Sequence, residues 1–478
     1  MRTAPDKSFD AVDHVAEQAH AAAPAWAQSS AEERAALLAS LADALDVNAA
    51  ALVDLADCET GLGAARLNGE LARTVFQLKG FADEVQAGVP YRTVDDPALA
   101  GAPPIGRPHL TRISVPLGPV VMFSASNFPF AFSVLGGDTA SALAAGCPVI
   151  VKAHAGHAAL SRMVYEIAAG VVEQQKLPAG VLCFIDNTSR DANAYLVRHP
   201  HVAAVAFTGS YQGGVALWRA VNDRPRPIPF YGELGSTNPL VVLPAALSDG
   251  EAEPAQMLAA SIALGSGQFC TSPGIICVFD DAAGDRFVAQ LAEALGTQTP
   301  HRMLTEGIRR AYEDGVERFA AHADTRPLIE RPSTGAGPAP RLFEVGADTF
   351  IRDGRLHEEV FGPAALVVRV NSIEQVIAVL DAVEGSLTVT LWGAGADTRD
   401  NRALVRVAQR IGGRVLLGGV PTGVAVAHAQ HHGGPWPAST SPQATSVGYA
   451  AIERFLRPVA MQDAPAWAIS ANHGGLSS

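Results

Sequence analysis

The sequence predicts an α/β protein with two doubly wound domains, in each of which helices cover both faces of a parallel sheet. Three observations lead to this fold class. Short apolar segments alternate with amphipathic ones, the alternation occurs in two separate stretches, and 478 residues are too many for one ordinary core. Apolar residues make up 48% of the chain and charged residues 17%, which is ample material for such cores.

The N-terminal region is predicted to be helical. Residues 9–60 and 64–87 have apolar residues at helical spacing, as in ERAALLASLADALDVNAAALVDLA. The Pro- and Gly-rich segment DDPALAGAPPIGRPHL ends this region, and the following TRISVPLGPVVMFSAS is predicted to form strands.

Strands and helices then alternate as far as residue 244. The predicted strands are PVIVKA, AGVLCFID, VAAVAFTGS and PLVVLP, and the predicted helices are GGDTASALAAG, HAALSRMVYEIAAGVVEQQ, RDANAYLVRHP and YQGGVALWRAVND. Short apolar strands that alternate with helices indicate a parallel sheet covered on both faces.

A second alternation surrounds residue 270. The helix AEPAQMLAASIALGSG precedes this residue and the strand PGIICVFD follows it. Further along, the predicted strands are AALVVRV, LTVTLWG and GRVLLG, separated by the helices SIEQVIAVLDAV and RDNRALVRVAQRI. This pattern predicts the second α/β domain.

The composition excludes several classes of function. A net charge of −13 argues against nucleic acid and an anionic membrane surface as partners, since both require basic patches, although a pocket can still be locally positive. The N-terminus has no apolar core flanked by basic residues, and no run of about 18 apolar residues occurs, so neither a secretory signal nor a spanning helix is predicted. Five cysteines without regular spacing fit a reducing compartment, and the expected location is the cytoplasm.

Cys270 is the candidate nucleophile. It lies in GSGQFCTSPG among small, polar and flexible residues, whereas a cysteine kept for packing is expected among apolar neighbours. Cys147, Cys183 and Cys277 lie in or beside apolar strands and are predicted to be core, and Cys58 lies on a predicted helix. Because a thiol attacks as thiolate, a functional Cys270 requires a nearby base or an activating environment.

Two polar residues are candidate partners for this thiol. Glu233 lies between glycines in YGELGSTNP, where it is either a solvated turn residue or a base. Asn127 in SASNFPF is either an Asx-turn residue or an amide donor to a developing oxyanion. The histidine cluster HAQHH at 428–432 has a spacing that matches no common metal site, so no metal is predicted, and no motif pairs a histidine with Cys270.

A phosphate site is predicted at an unusual place. The dinucleotide fingerprint G-x-G-x-x-G is missing, since GLGAAR, GSGQFC and GAGADT lack the last glycine. In VAAVAFTGSYQGG, however, a strand leads to Thr208, Gly209 and Ser210 at the start of a helix, where backbone N–H groups and the helix dipole favour an anion. The alternative is an ordinary strand–helix turn.

Together these motifs resemble those of the aldehyde dehydrogenase superfamily. SASNFPF is similar to the family's Asn-Phe-Pro turn, VIVKAH to its cofactor strand, FTGS to its phosphate turn, GELGSTNP to its general-base motif, GQFCTSPG to its nucleophile motif and HEEVFGP to its nicotinamide-ribose motif. The motifs occur in the family's order over nearly the whole chain. The segment PTGVAVAHAQHHGGPWPASTSPQATSVGYAAIERFLRP resembles the branch that contains α-ketoglutaric semialdehyde (2,5-dioxopentanoate) dehydrogenases and a bacterial NADP-dependent fatty aldehyde dehydrogenase.

The resemblance implies NAD(P)-dependent oxidation of an aldehyde to a carboxylic acid. Cys270 would attack the aldehyde carbon to give a thiohemiacetal, whose oxyanion the Asn127 amide and the Cys270 backbone N–H would hold. Loss of hydride would leave a thioester, and Glu233 would activate the water that releases the acid.

The resemblance also implies cofactor residues. Lys152 and Glu359 would hold ribose hydroxyls, Phe361 would border the nicotinamide and Ser210 would contact the pyrophosphate, within the phosphate turn described above. Family members that prefer NAD often have a glutamate at the position of Ala155.

The missing glutamate favours NADP, which we expect to be accepted at least as well as NAD. His154 follows the strand lysine and Arg190 opens the helix after the next strand, so both are predicted to lie at the ends of adjacent strands, where a doubly wound sheet binds nucleotide. Arginine suits a 2′-phosphate because its planar fork makes two charge-assisted bonds. The alternative for Arg190 is a solvated residue at a helix start.

The substrate is predicted less directly. Arg73 lies on a helix that lines the substrate tunnel in the family, so it either binds a distal carboxylate or is an ordinary packing residue. Phe128, Phe269 and Trp436 would suit an apolar tunnel for a fatty or aromatic aldehyde, and Gly419 replaces an asparagine common in the branch. Two further alternatives are a catalytically silent member of the fold and a thiol hydrolase without cofactor.

The family fold implies three parts. The NAD(P)-binding domain is predicted at residues 1–97 and 118–234, the catalytic domain at 235–445, and a small β oligomerisation flap at 98–117 and 446–478. A homodimer or homotetramer is expected.

Overall fold

The structure is a computed structural model that describes residues 7–186, 188–247, 252–299, 301–329 and 337–470. It divides into two compact units: unit 1 contains residues 1–232, 426–430 and 444–478, and unit 2 contains residues 233–425 and 431–443. The domain boundary predicted after residue 234 therefore differs from this division, because Glu233 already belongs to unit 2.

The helices of unit 1 begin with α1 (Lys7–Ala27), α2 (Ala31–Val47), α3 (Ala49–Thr60) and α4 (Ala64–Gln86). The region predicted as helical from residue 9 to residue 60 is thus broken twice. The first break is a capping box, in which Ser30 Oγ accepts from the backbone N–H of Glu33 at 3.1 Å while the Ser30 N–H donates to the Glu33 carboxylate at 2.7 Å. The second lies at Asn48, between α2 and α3.

A five-stranded sheet forms the centre of unit 1. Its strands are β3 (Val120–Phe123), β4 (Val149–Lys152), β5 (Leu182–Ile185), β6 (Ala204–Thr208) and β7 (Phe230–Glu233), in the order β5-β4-β3-β6-β7. Its helices are α5 (Gly137–Ala145), α6 (Ala158–Gln174), α7 (Arg190–Arg198) and α8 (Tyr211–Asn222). Strand β3 pairs in parallel with both β4 and β6, so the predicted alternation is confirmed here.

A smaller antiparallel sheet uses segments far apart in the chain. It contains β1 (Val94–Asp96), β2 (Leu110–Pro116) and β15 (Leu456–Gln462), in the order β1-β2-β15. Leu456 lies opposite Pro116 in the register. The short helix α15 (Ala466–Ser470) follows this sheet.

Unit 2 is built on a seven-stranded sheet. Its strands are β8 (Leu240–Val242), β9 (Ile275–Phe279), β10 (Arg326–Pro327), β11 (Arg341–Gly346), β12 (Ala364–Val370), β13 (Ser386–Trp392) and β14 (Gly412–Leu416), in the order β10-β11-β12-β9-β8-β13-β14. The helices are α9 (Glu253–Ala263), α10 (Ala282–Gly296), α11 (Glu306–Ala320), α12 (Ala347–Arg352), α13 (Ile373–Val383) and α14 (Arg399–Ile411). Among the described residues, neighbouring strands of this sheet pair in parallel, except β10 with β11, which are antiparallel.

Both faces of this sheet are buried. Along β9, Ile275 and Cys277 pack into one core while Ile276 and Val278 pack into the other, because successive side chains of a strand point to opposite faces. The apolar segments that predicted a two-sided parallel sheet are therefore confirmed. Among the described residues, no single helix is long and apolar enough to cross a membrane, and only the bent pair α2–α3 meets that length and hydropathy when taken together.

Candidate active site

The loop that contains Cys270 has an unusual backbone. After α9, Gly265, Ser266 and Gly267 have φ values of 58°, 54° and 67°, in the left-handed region. A Cβ atom at Gly267 would lie 2.1 Å from the carbonyl oxygen of Gly362, so only glycine fits there. A left-handed backbone strains a residue other than glycine, and hydrogen bonds hold Ser266 in this conformation. Its hydroxyl donates to the His301 carbonyl and accepts from the His301 N–H, each at 2.9 Å.

Cys270 differs from the strand cysteines as predicted. Its residue is half-buried, whereas Cys147, Cys183 and Cys277 are buried and all five cysteines are free thiols. Burial raises the pKa of Cys147 to about 11 and the pKa values of Cys183 and Cys277 to about 12, so these three thiols stay protonated near neutral pH. They are structural, which leaves Cys270 as the accessible thiol of unit 2 within the described ranges.

A buried amide fixes the backbone on both sides of the thiol. Asn238 has a left-handed φ of 46°, and its Nδ2 donates to the carbonyl oxygens of Cys270 at 2.8 Å and Ser272 at 3.0 Å. Its Oδ1 accepts from the backbone N–H of Thr388 at 3.2 Å and from the hydroxyl of Ser236 at 2.9 Å. The sequence analysis did not identify Asn238, although its place before a proline in the GELGSTNP motif was a usable signal.

Glu233 and His432 lie beside Cys270. The His432 Nε2 atom is 3.5 Å from the Cys270 Sγ and 3.1 Å from Glu233 Oε1, and the three ligand atoms lie within 4.8 Å of one another. Both Glu233 and His432 are almost fully buried, with 4% and 1% of their surfaces exposed. The sequence analysis found no motif that pairs a histidine with Cys270, because this pairing arises from the tertiary structure.

A backbone pairing brings His432 to this place. Glu233 forms an isolated antiparallel bridge with Ser439, and the N–H of Leu234 donates to the carbonyl of Ala438 at 2.8 Å. The segment that follows His432 is held in turn by Gly434, where a Cβ atom would lie 2.4 Å from the Ser386 carbonyl oxygen. The Gly-Gly-Pro sequence after the histidines therefore lets this loop pack closely against β13.

The predicted ribose residue Glu359 lines a cavity in unit 2. The cavity is also lined by Phe361, Phe269 and Ser236. Removal from solvent raises the pKa of the Glu359 carboxyl to about 7, while a hydrogen bond from the Ser236 backbone works in the opposite direction. A carboxyl group that changes charge near neutral pH therefore lies in this cavity.

The predicted phosphate turn lies in unit 1. Thr208 is the last residue of β6, and its Oγ1 is buried without a hydrogen-bond partner among the described residues. Ser210 caps α8 by accepting from the Gly213 N–H at 3.3 Å. A Cβ atom at Gly209 would lie 2.9 Å from the Phe207 ring, so the backbone passes close to that ring. An unsatisfied hydroxyl at a helix N-terminus is a suitable place for an anionic ligand.

The other predicted cofactor residues lie at the ends of neighbouring strands. Lys152 ends β4, and burial lowers its pKa although the nearby Asp186 carboxylate opposes the shift. Burial, with His157 and Lys152 close by, lowers the pKa of His154 to about 3, and its Nδ1 accepts from the Gly156 N–H at 3.0 Å. His154 can therefore offer a ligand a hydrogen bond but no positive charge. Arg190 is exposed at the start of α7.

The turn containing Asn127 is fastened to α4. The buried Glu70 carboxylate accepts from the backbone N–H groups of Phe130 at 2.8 Å and Ala131 at 3.0 Å. Arg66 donates to the Asn127 carbonyl at 2.5 Å, and its guanidinium lies 5.2 Å from the centre of the Phe128 ring. Burial raises the pKa of Glu70, while Arg66 and the two backbone donors favour its ionised form. The sequence analysis did not identify this role of Glu70.

The predicted substrate residues have different surroundings in the two units. In unit 1, the half-buried Arg73 guanidinium lies 5.8 Å from the Phe132 ring, and Phe128 contacts Phe132 edge to face. In unit 2, Phe269 is buried at the cavity described above, whereas Trp436 is 42% exposed.

Comparisons with known proteins agree with these features. The sequence matches the profile of the aldehyde dehydrogenase family over residues 1–435. An α-ketoglutaric semialdehyde dehydrogenase 2 from Azospirillum brasilense is 45% identical over 456 residues, which cover 95% of this chain and 87% of that protein. An α-ketoglutaric semialdehyde dehydrogenase from Acinetobacter baylyi is 37% identical over 459 residues, with the same coverage.

Solved structures share the fold. Aldehyde dehydrogenase 21 from Physcomitrella patens, determined with its product succinate, superposes with a TM-score of 0.79 at 22% identity, covering 96% of this chain and 92% of that one. A 1-pyrroline-5-carboxylate dehydrogenase from Thermus with bound NAD gives a TM-score of 0.78 at 20% identity, covering 95% and 85%. The chain thus belongs to the aldehyde dehydrogenase family and is an NAD(P)-dependent enzyme that oxidises aldehydes.

Proposed function

We propose that this enzyme oxidises 2,5-dioxopentanoate (α-ketoglutaric semialdehyde) to 2-oxoglutarate, with NADP as the preferred cofactor. The observation that carries the chemistry is the buried cluster of Cys270, His432 and Glu233, whose reactive atoms lie within 4.8 Å of one another. The substrate is supported by two relatives that bear this activity in their names and align with 95% of the chain.

The first half-reaction begins at the thiol. The Cys270 proton passes to His432 Nε2, and the thiolate adds to the aldehyde carbon to form a thiohemiacetal. The resulting imidazolium N–H faces the Glu233 carboxylate, which stabilises its charge at the observed 3.1 Å. Asn127 is the proposed donor to the oxyanion, together with the backbone N–H of Cys270.

A bound NAD(P)⁺ would supply the hydride acceptor for oxidation of the thiohemiacetal carbon. Cys270 would then hold the oxidised carbon as a thioester. Glu233 then removes a proton from water, whose oxygen adds to the thioester carbonyl. The C–S bond breaks to release the acid and the Cys270 thiolate, which takes its proton back from the His432 imidazolium, and Glu233 loses its proton to solvent. Because one His432 nitrogen faces both groups, it serves the thiol in the first half-reaction and orients the Glu233 carboxylate in the second.

The residues present fit NADP. The buried Thr208 hydroxyl at the start of α8 suits a pyrophosphate, and the cavity with Glu359 and Phe361 suits the nicotinamide ribose. Ala155 presents no carboxylate against a 2′-phosphate, and the Asp186 carboxylate at the end of β5 is neutralised by its ion pair with Arg162. Arg190 is the proposed cation for the phosphate, since His154 is neutral near pH 7.

Arg73 is the proposed receptor for the distal carboxylate of the substrate. Its position on α4 lies two turns after Arg66, which contacts the Asn127 backbone, so both guanidinium groups are on the face of α4 that holds this turn. The ring contact with Phe132 limits the rotamers of Arg73, and a pre-organised guanidinium loses less entropy when it binds a carboxylate.

A panel of matched aldehydes tests this proposal. Initial rates of NADPH and NADH formation are measured with 2,5-dioxopentanoate, with 5-oxopentanoate, which lacks the 2-keto group, and with pentanal, which also lacks the carboxylate. We expect kcat/KM to fall in that order and to be higher with NADP than with NAD. The Arg73→Leu variant should reduce kcat/KM for both acids and leave pentanal unchanged, and Arg190→Ala should raise KM for NADP alone.

The substrate assignment is overturned if pentanal is oxidised as efficiently as 2,5-dioxopentanoate. The cofactor assignment is overturned if the wild type strongly prefers NAD. Equal losses for acids and pentanal in Arg73→Leu would show a packing role for that residue.

We also propose a cytoplasmic homodimer or homotetramer, with the β1-β2-β15 sheet as the contact. Five free thiols support the reducing compartment, and light scattering measures the assembly.

A further inference from the structure

We propose that Cys270, His432 and Glu233 form a binding site for Zn²⁺, and that the ion inhibits the enzyme reversibly by occupying its catalytic groups. One thiolate sulfur, one imidazole nitrogen and one carboxylate oxygen are a donor set that zinc accepts, with a fourth position left for water. The site lies wholly within unit 2. The spacing of the histidines at 428–432 matches no common metal site, but this proposal does not depend on that spacing. Only His432 of that cluster is a ligand here.

The distances fit a tetrahedral ion. An ion bound at ~2.3 Å from sulfur and ~2.1 Å from nitrogen and oxygen separates its ligand atoms by roughly 3.4–3.6 Å. The Cys270 Sγ is already 3.5 Å from His432 Nε2, and Nε2 is 3.1 Å from Glu233 Oε1. The Cys270 Sγ and the Glu233 carboxylate oxygen lie within 4.8 Å of each other, so these two side chains must approach by up to about 1.2 Å to become ligands of one ion.

The backbone around the cluster is held in place before a metal arrives. Asn238 binds the carbonyl of Cys270, and the bridge between Glu233 and Ser439 fixes the carboxylate relative to the loop after His432. Such pre-organisation lowers the entropy lost on binding. Two of the three ligands are anionic when bound, so they neutralise the charge of Zn²⁺, while the Arg414 guanidinium is the nearby cation that opposes it.

Binding replaces the thiol proton by the metal. The Cys270 S–H proton leaves to solvent, a sulfur–zinc bond forms, and the lone pair needed for attack on the aldehyde is occupied. The Glu233 carboxylate is withdrawn from water activation at the same time, so both half-reactions stop. Inhibition rests on the proposed catalytic roles, but metal binding itself does not.

Cobalt titration tests the site without using activity. Co²⁺ is added to the reduced, cofactor-free protein, and the thiolate-to-cobalt charge-transfer band and the visible bands of tetrahedral cobalt are recorded. We expect one Co²⁺ per chain, displaced by Zn²⁺. Outer-shell partners of metal sites are worth about 10–100-fold in affinity, so loss of a ligand in Cys270→Ala, His432→Gln or Glu233→Gln should weaken binding at least about tenfold.

Two variants serve as matched controls. Cys58→Ala removes the exposed cysteine, and His431→Asn removes the histidine next to the ligand, so both should keep wild-type cobalt spectra. Thermal unfolding shows whether each ligand variant is folded, and the charge-transfer band, which needs sulfur, must vanish in Cys270→Ala. A band that persists there, or one that is lost in Cys58→Ala, overturns the site.

Activity then separates this proposal from the proposed function. Zn²⁺ should inhibit NADPH formation by the wild type, and a chelator should restore the rate. If the cobalt site forms but the protein oxidises no aldehyde, the metal site stands and the function fails. If the aldehyde is oxidised while cobalt gives no sulfur-dependent band, the function stands and the metal site fails.

Discussion

Two turns that present the predicted catalytic groups are held by different kinds of contact. In unit 1, charged side chains of α4 fasten the Asn127 turn, through Glu70 to two backbone N–H groups and through Arg66 to a carbonyl. In unit 2, the neutral amide of Asn238 fastens the Cys270 loop, which also requires a left-handed backbone. The Glu70 contact in the first turn therefore depends on an acceptor, and the Asn238 contact in the second depends on a donor.

This difference predicts how each turn should respond to substitution of the side chain that holds it. A carboxylate that accepts from backbone N–H groups can be replaced by an amide, whose oxygen accepts equally. An amide that donates to carbonyl groups cannot be replaced by a carboxylate, which has no proton to give. Substitutions that keep the shape should therefore be mild in unit 1 and severe in unit 2.

The largest expected effect is at the thiol itself. Cys270→Ala should abolish aldehyde oxidation, because no alternative route to the thioester remains, while the unfolding midpoint and cofactor binding stay close to wild type. Steady-state NADPH formation measures aldehyde oxidation, and thermal unfolding measures the unfolding midpoint. Cys58→Ala, at an exposed helix position, is the control and should be fully active. Turnover by Cys270→Ala near the wild-type rate would contradict the assignment.

The next effect separates the two half-reactions. Glu233→Gln should form NADPH in a rapid burst and then turn over about 10²–10⁴-fold more slowly, because the thioester forms but water is no longer activated. Stopped-flow absorbance resolves the burst from the steady state. His432→Gln should instead slow the burst, since it removes the proposed acceptor of the thiol proton. If Glu233→Gln also loses its burst, the carboxylate takes part in activating the thiol.

Asn238→Asp tests the donor requirement in unit 2. The carboxylate would face the carbonyl oxygens of Cys270 and Ser272, so the loop should shift, and displacement of a reacting group by about 1 Å can cost about 10²-fold in rate. We expect this loss in kcat, with slower alkylation of Cys270 by iodoacetamide measured by mass spectrometry. If the variant is less stable but keeps the wild-type kcat and thiol reactivity, Asn238 has only a structural role.

Glu70 tests the acceptor requirement in unit 1. Glu70→Ala leaves the N–H groups of Phe130 and Ala131 without their partner, which costs roughly 1–3 kcal/mol for an unsatisfied buried group. Glu70→Gln keeps an oxygen acceptor and should remain within about 1 kcal/mol of wild type. Urea unfolding followed by circular dichroism compares the two. Equal losses for both variants would mean that the charge of Glu70, and not its geometry, holds the turn.

The sequence predicted the strands and helices well because their signal is local. Apolar runs such as IICVF and helical spacing depend only on neighbouring residues, and the residues of both α/β units follow them. Cys270 was also predictable, since its polar surroundings contradict packing. His432 was not, because 199 residues separate it from Glu233. Asn238 lies in the quoted GELGSTNP motif, but its contact with Cys270, 32 residues away in the chain, is a tertiary one that local patterns do not reveal.

Charge is a further property that the sequence does not reveal. His154 is predicted to lie at the nucleotide-binding end of the sheet, but its pKa depends on burial and on neighbouring cations. The same holds for Glu359, whose motif predicted contact with a ribose but not that its pKa lies at about 7.

The smallest expected effect is the pH dependence caused by Glu359. Its pKa is raised from 4.5 to about 7 in the folded protein, so the folded state holds this proton more tightly than the unfolded state. The contribution to stability is therefore fully present below the unfolded pKa of 4.5 and is lost as pH rises through the folded pKa of about 7. Glu359→Gln should remove that decline, which urea unfolding at about pH 5 and about pH 8 measures.

Cofactor binding should change in the opposite direction. Ribose hydroxyls donate to the ionised carboxylate, so KM for NADP should fall as pH rises through about 7, and Glu359→Gln should flatten this dependence. Glu70→Gln is the matched variant, since it removes a buried carboxyl of unit 1 and should leave the pH profile of KM unchanged. A wild-type KM that stays constant across this range, or a profile that persists in Glu359→Gln, would show that the carboxyl does not bind the ribose.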